Sequence, residues 1–406
     1  TLDIDGSLQV SAAMGTIAVN SAIDATTPGD LETIDFLTSG LVDVNAGIGT
    51  SVPVGTITIS GGTVDLDGSL QTNGALIQIT GSALVDLAAP YFLRTTSTVA
   101  SIVSGNVLIT GTSTGAINLA GLVDTTGASL GGAGGDGGLV TISTADGPIS
   151  VAAITTSGGA GGGSPGGNAA AVSITSSDLG ANATHNVTLT GVITTLGGTG
   201  TPVGTSANIS INADGQIVDS NAGTDLFALT TDLTAGTGIA AAGNPVEVDV
   251  STVTSAMSVA GGIYIDLQDA DNSGVTVTLA DATLSGDIIL TGTVGNGTRT
   301  YTLVDTNSGL INISAAAGDL VLGLITAGTG GVANAVTVTA TAGQITDNAN
   351  DALTNLIGST LTISATTGIG QGANGSIDVN VNSVTSAASA TGGIAINLLN
   401  DAVVAN

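Results

Sequence analysis

Residues 55–66 read Gly55-Thr-Ile57-Thr-Ile59-Ser-Gly-Gly62-Thr-Val64-Asp-Leu66. Two short runs alternate apolar and polar residues, and each is opened by glycine. Alternation at period two places Ile57, Ile59, Val64 and Leu66 on one face of an extended chain, with the polar residues on the other. The glycines break the runs at tight corners, where few other residues tolerate the backbone angles. The same pattern occurs upstream at Gly15-Thr-Ile17-Ala-Val19 and Gly40-Leu-Val42-Asp-Val44. Downstream it returns at Gly105-Asn-Val107-Leu-Ile109, Gly115-Ala-Ile117-Asn-Leu119, Gly138-Leu-Val140-Thr-Ile142 and Gly147-Pro-Ile149-Ser-Val151. Helical spacing is nearly absent; residues 84–93 and 351–357 are the stretches expected to form a helical turn or a loop.

Many short, near-identical strands with Gly, Asn and Asp between them fit a parallel β-solenoid better than an antiparallel sandwich. In a solenoid each coil lies on the one below at about 4.8 Å, and inward Val, Ile and Leu stack in columns. A sandwich of this length calls for large aromatic core residues, yet aromatics are 1% of the 406 residues and Trp is absent. Coils of about 20 residues are expected from the strand spacing.

Longer recurrences divide the chain. Gly343-Gln-Ile-Thr-Asp347 repeats Gly215-Gln-Ile-Val-Asp219, and Ile377-Asp-Val-Asn-Val381 repeats Val246-Glu-Val-Asp-Val250. Val384-Thr-Ser-Ala387 repeats Val253-Thr-Ser-Ala256, and Gly392-Gly-Ile-Ala-Ile396 repeats Gly261-Gly-Ile-Tyr-Ile265. Such recurrence marks a repeat architecture. The expected segments are 1–120 (N-terminal coils), 121–214 (Gly-rich loop units), 215–342 (first large repeat) and 343–406 (second, truncated repeat), in one continuous rod. The truncation predicts a piece of something longer. In the second segment, residues 127–138, 158–167 and 197–204 are Gly-rich loops set between strands; they are expected to protrude on one flank and to form any flexible or partner-facing surface.

At these residues the chain resembles large bacterial surface proteins of the filamentous-haemagglutinin-like type. The Thr156-Ser-Gly-Gly-Ala-Gly-Gly162 loop, Gly368-Ile-Gly370 and Val384-Thr-Ser-Ala387 carry the resemblance, which spans roughly residues 120–406. It implies an all-β, right-handed parallel β-helix in an extracellular adhesin, filament or matrix component.

Charge narrows the function. There are 31 acidic residues against two arginines and no lysine, a net charge of -29. Nucleic-acid binding needs clustered Lys and Arg, which this chain lacks. No apolar run reaches the roughly 20 residues of a membrane-spanning helix. No cysteine is present, so disulfides and thiolate metal sites are excluded.

No catalytic constellation stands out. His185 is the only histidine and is expected in an exposed turn. Two scattered arginines are a poor basis for a lyase, and a glycosidase needs paired carboxylates together with a platform for the sugar. We expect no enzyme. Divalent cations are the expected cofactor, calcium foremost, because bound ions offset self-repulsion at this charge. Asp266, Asp269 and Asp271, with Asn272-Ser-Gly274, imitate the front of a calcium loop, although Ala280 stands where a bidentate carboxylate is needed. Asp3 with Asp5, and Asp65 with Asp67, each place two carboxylates on one strand face before a turn. The expected role is a structural segment of an adhesin, filament or sheath. Its partners are other copies of itself, through solenoid edges left without polar caps, and cell-surface or matrix glycans. The rival readings are a calcium-dependent surface-layer lattice protein of β-sandwich domains and a glycan-processing β-helix enzyme.

Overall fold

The computed structural model describes residues 1–27, 32–97, 103–129, 131–178, 185–328, 334–349, 353–371, 373, 375–400 and 403–404. It is 54% strand, with no helix among the described residues. The named strands pair in parallel, coil on coil, as a β-solenoid. Parallel pairing removes the basis for β-sandwich domains, whose strands run antiparallel. The chain divides into two compact units, one of residues 1–215 with 227–229 and one of residues 216–226 with 230–406.

In the first unit the alternation seen in the sequence becomes columns. One runs Leu8, Ile34, Ile57, Ile77, Val107, Val140, Val172, Ile209; its neighbour runs Val10, Phe36, Ile59, Ile79, Ile109, Ile142, Ile174, Ile211. A second face stacks Ile17, Val42, Val64, Val85, Ile117, Ile149 and Val187. From Ile34 and Val42 onward these side chains are 0–2% exposed. Each therefore contributes the roughly 1.5–3 kcal/mol of a fully buried aliphatic group. Residues 84–93 are not helical: Ile77–Leu87 and Phe92–Arg94 are strands. Leu356 and Ile357 likewise open the strand Leu356–Ala365, while 351–352 lie outside the described residues. The coils are less uniform than expected. Ile57 and Ile77, in register, are 20 residues apart, but Val172 and Ile209 are 37 apart.

The extra length lies in the Gly-rich loops, and they are not loose. Each runs out and back as a backbone ribbon. Gly135 N–H donates to Ala128 O, Gly167 N–H to Gly159 O and Gly204 N–H to Gly198 O, all at 2.9 Å. Successive ribbons are bonded to one another, Gly127 to Ser157 O at 2.8 Å, Gly158 to Leu196 O at 3.0 Å and Gly166 to Pro202 O at 3.0 Å. The glycines are needed because backbones approach where a side chain would stand: a Cβ on Gly158 would lie 1.8 Å from Gly167 O.

A buried threonine closes the base of each of these loops and stands at the equivalent corner of two earlier coils. The hydroxyls of Thr72, Thr95, Thr125 and Thr195 donate to the carbonyls of Ala75, Gly105, Gly138 and Ala207 at 2.7, 2.5, 2.5 and 2.8 Å, and Thr156 donates to Ala170 O. All five threonines are fully buried.

The second unit has its own columns, including Ile217, Ile239, Ile263, Ile288, Ile311, Val336, Leu361 and Val384. Another runs Val275, Arg299, Leu320, Ile345, Ile369. Arg299 is thus a core residue, with none of its surface exposed. Its guanidinium donates to the carbonyls of Ala317 at 3.0 Å, Val294 at 2.5 Å, Leu267 at 3.3 Å and Gly297 at 3.4 Å. Tyr301, the next inward residue of the same strand, is also fully buried, and burial raises its phenol above the ordinary range.

Candidate functional site

Outward residues of parallel coils stack as inward ones do, so identical charges meet. On the second face of the first unit, Asp43, Asp65 and Asp86 are aligned on three successive coils. Asn118 continues the row and donates to Asp86 Oδ1 at 2.5 Å. Like charges directly opposite each other repel. Partial burial first, then Asp67, Asp86 and Asp43, raise the Asp65 carboxyl above its ordinary value. In the second unit Asp281 and Asp305 are in register, and burial followed by the Asp281 charge raises Asp305 in the same direction.

These rows set a pH dependence. A carboxyl raised in the folded state holds its proton to higher pH than in the unfolded chain, so stability falls as pH rises between the two values. In low-salt buffer with chelator, the melting temperature is expected to rise on going from about pH 7.5 to about pH 5. Added salt should flatten the trend. Asp271, lowered by its hydrogen bonds to Ser273, acts oppositely, but only in more acid solution. A melting temperature that falls over that interval would contradict the assignment.

The structure separates the imitation calcium loop into three roles. Asp266 is 5% exposed and its oxygens are taken up by Thr291 Oγ1 at 2.8 Å, Thr293 N–H at 3.0 Å, Gln268 Nε2 at 2.5 Å and the Thr293 hydroxyl. Asp269, 1% exposed, accepts from the N–H groups of Gly274 at 3.0 Å and Gly297 at 2.7 Å. Asp271 is exposed and accepts from Ser273 N–H at 2.9 Å. The turn is therefore made by hydrogen bonds within the chain. Asp3 and Asp5 are both exposed. Asp3 is in register with Asp24, whose Oδ1 accepts from Ser51 and Val52 N–H at 3.0 and 3.3 Å. Asp65 belongs to the row above, and Asp67 is exposed beyond the end of its strand. His185 is not an exposed turn residue: its side chain is 17% exposed and its Nε2 lies 2.7 Å from Asp146 Oδ1.

A tighter acidic group lies elsewhere in the second unit. Asp219 ends the strand Gln216–Asp219, Asp225 immediately precedes Leu226–Ala235, and Glu247 lies in Val246–Ser258. One carboxylate oxygen from each lies within 4.8 Å of the others. Asp225 is fully buried and Asp219 is 7% exposed. Asp225 accepts from Asn221 Nδ2 at 2.5 Å and from Glu247 N–H at 2.9 Å, and Asp219 Oδ1 accepts from Asn221 N–H at 2.8 Å. Asp219 Oδ2 and Glu247 Oε2 are buried without a hydrogen-bond partner. Burial pushes the Asp225 carboxyl up to about 9, with Asp219 and Glu247 adding to the rise and the Glu247 N–H partly offsetting it. Sequence spacing gave no sign of this group, because coil stacking assembles it from three segments.

No family model, curated protein or solved structure matches the chain.

Proposed function

We propose that the protein is an extracellular structural element, a segment of a surface adhesin, filament or sheath, that assembles end to end through the edges of its solenoid. One observation carries this reading: in each unit the outermost coil leaves members of the apolar columns uncovered. In the first unit Val10, stacked on Phe36, is 37% exposed, and Leu2 is 49% exposed. In the second unit Leu398, stacked on Val379, is 36% exposed, and Ile394, bridged to Ile369, is 45% exposed. Column members beneath them, Ile369 and Val379, are wholly buried. A strand edge over an open column is completed by a further coil, of the same chain or of another copy, which supplies both backbone hydrogen bonds and apolar cover. The resemblance to filamentous-haemagglutinin-like proteins supports the same role. Among the described residues no helix is long and apolar enough to cross a membrane.

Electron microscopy of the purified chain tests the proposal. Thin filaments or end-joined particles are expected, and the paired change Val10→Asp with Leu398→Asp should abolish them while leaving the circular dichroism spectrum intact. Single particles at every concentration, or filaments indifferent to both changes, would remove the proposal. Flat lattices would favour the surface-layer reading.

A further inference from the structure

The two large repeats contain the same three-residue arrangement, with one chemical difference. Aligning Gly215-Gln-Ile-Val-Asp219 with Gly343-Gln-Ile-Thr-Asp347 matches Asp219 to Asp347. The following strands match Asp225-Leu226 to Asn355-Leu356 and Glu247 to Asp378. The backbone agrees. Asp225 N–H donates to Glu247 O at 2.9 Å, and Asp225 Oδ2 accepts from Glu247 N–H at 2.9 Å. Asn355 N–H donates to Asp378 O at 2.8 Å, and Asn355 Oδ1 accepts from Asp378 N–H at 2.9 Å.

In the second repeat the central residue is an amide. Asn355 Nδ2 donates to Asp347 Oδ1 at 2.7 Å, so a buried donor stands between the acidic residues. In the first repeat the central residue is Asp225, which brings a third carboxylate where the other copy has that N–H donor. Asp219, more than nine-tenths buried, has its Oδ2 buried with no partner, and the half-buried Glu247 has its Oε2 buried with none; one oxygen of each of the three residues lies within 4.8 Å of the others. Buried carboxylate oxygens require compensation, by a hydrogen-bond donor or a cation. The chain has only two Lys and Arg residues; Arg94 is paired with Asp124, and Arg299 is enclosed by carbonyls. His185 pairs with Asp146. The Asn221 amide is already bonded to Asp225, and the Asn244 amide goes to the backbone carbonyl of Asp219 at 2.9 Å, not to its carboxylate.

We propose that Asp219, Asp225 and Glu247 form a site for a hard divalent cation of the calcium class, with three protein carboxylates as ligands and water completing the shell. Oxygen-only donors of high charge suit calcium, whose flexible coordination tolerates an irregular set of ligands, better than soft-ligand metals. The residues Ser220, Ala222 and Gly223, beside the site in sequence, are exposed. The proposal is independent of end-to-end assembly, since every ligand lies within one unit.

Calcium titration by calorimetry on the full chain, stripped with chelator, tests the site. Asp225→Asn installs the residue that the second repeat already accommodates at this position, so the fold is expected to persist. That variant should bind one calcium fewer per chain, and its melting temperature should no longer respond to the ion at that site. Glu247→Gln should weaken the same binding step. The reciprocal change, Asn355→Asp, should add one calcium, because it recreates three carboxylates on the matching scaffold. Equal stoichiometry and affinity in the wild type and both loss variants would overturn the proposal and leave Asp225 as a neutral acid sharing its proton with Glu247. A Gly132→Ala control should bind as the wild type does.

Discussion

Alanine at Gly158 lowers stability by about 3 kcal/mol, the upper range for forcing atoms into a filled interior, whereas alanine at Gly132 stays within about 0.5 kcal/mol of wild type. Both residues are glycines in neighbouring Gly-rich loops, so composition does not distinguish them. The structure does. A Cβ on Gly158 would lie 1.8 Å from Gly167 O, 2.3 Å from Gly167 C and 2.8 Å from Gly198 N, all of it backbone. A Cβ on Gly132 would meet nothing within 4 Å. The atoms around Gly158 cannot yield singly, because Gly158 N–H is bonded to Leu196 O, Gly167 to Gly159 and Gly198 to Gly167. Moving one ribbon strains its neighbours. Differential scanning calorimetry of the two variants decides the matter: equal melting temperatures would mean that the loops are soft and that the hydrogen-bonded stack does not persist in solution.

Arginine 299 gives the second large effect. Arg299→Ala is expected to cost about 4 kcal/mol, from a cavity left by a long side chain and from buried carbonyls losing their donor. The site is built around this side chain: a Cβ on Gly292 would come within 2.2 Å of Arg299 Nε. Arg299→Met separates the two contributions. It restores volume but no donor, so it should recover part of the loss and remain below wild type by 1 kcal/mol or more, the cost of unsatisfied buried acceptors. Urea unfolding measures both changes. A methionine variant as stable as wild type would show that the guanidinium only fills space, as some buried ions do.

The solenoid was legible because its cause is local. The alternation at Ile57, Ile59, Val64 and Leu66 fixes which side chains point inward, and parallel stacking then follows from repetition. Coil length was not legible, since nothing in Val172-Ser-Ile174 states how far away the next strand in register begins. The Gly-rich loops were located by sequence, but their hydrogen-bonded stacking was not legible: glycine allows a mobile chain and equally allows backbones to touch, and only the partner's position distinguishes the two. Arg299 follows the alternation of Thr298-Arg299-Thr300-Tyr301 and points inward by parity alone, against the general preference of charge for water. The acidic residues divided in an instructive way. Asp269 and Asp271 do shape a turn, as their calcium-loop-like spacing suggested, but through N–H donors. Asp219, Asp225 and Glu247 share no spacing rule. The signal available for them was the internal repeat, where Asp225 faces Asn355 in the alignment.

The threonine clasps have a consequence for how such a chain can change. Between hydroxyl donor and carbonyl acceptor the separation is 3 residues at Thr72, 10 at Thr95, 13 at Thr125 and 14 at Thr156, while the strands on either side keep the same registers. Each clasp is a socket whose fitting does not depend on what is plugged into it. Doubling the length of such an excursion costs only about 0.6 kcal/mol in closure entropy. Insertions at the tips can therefore accumulate or be grafted coil by coil, and the outer face can diversify while a single hydroxyl per coil keeps the interior unchanged.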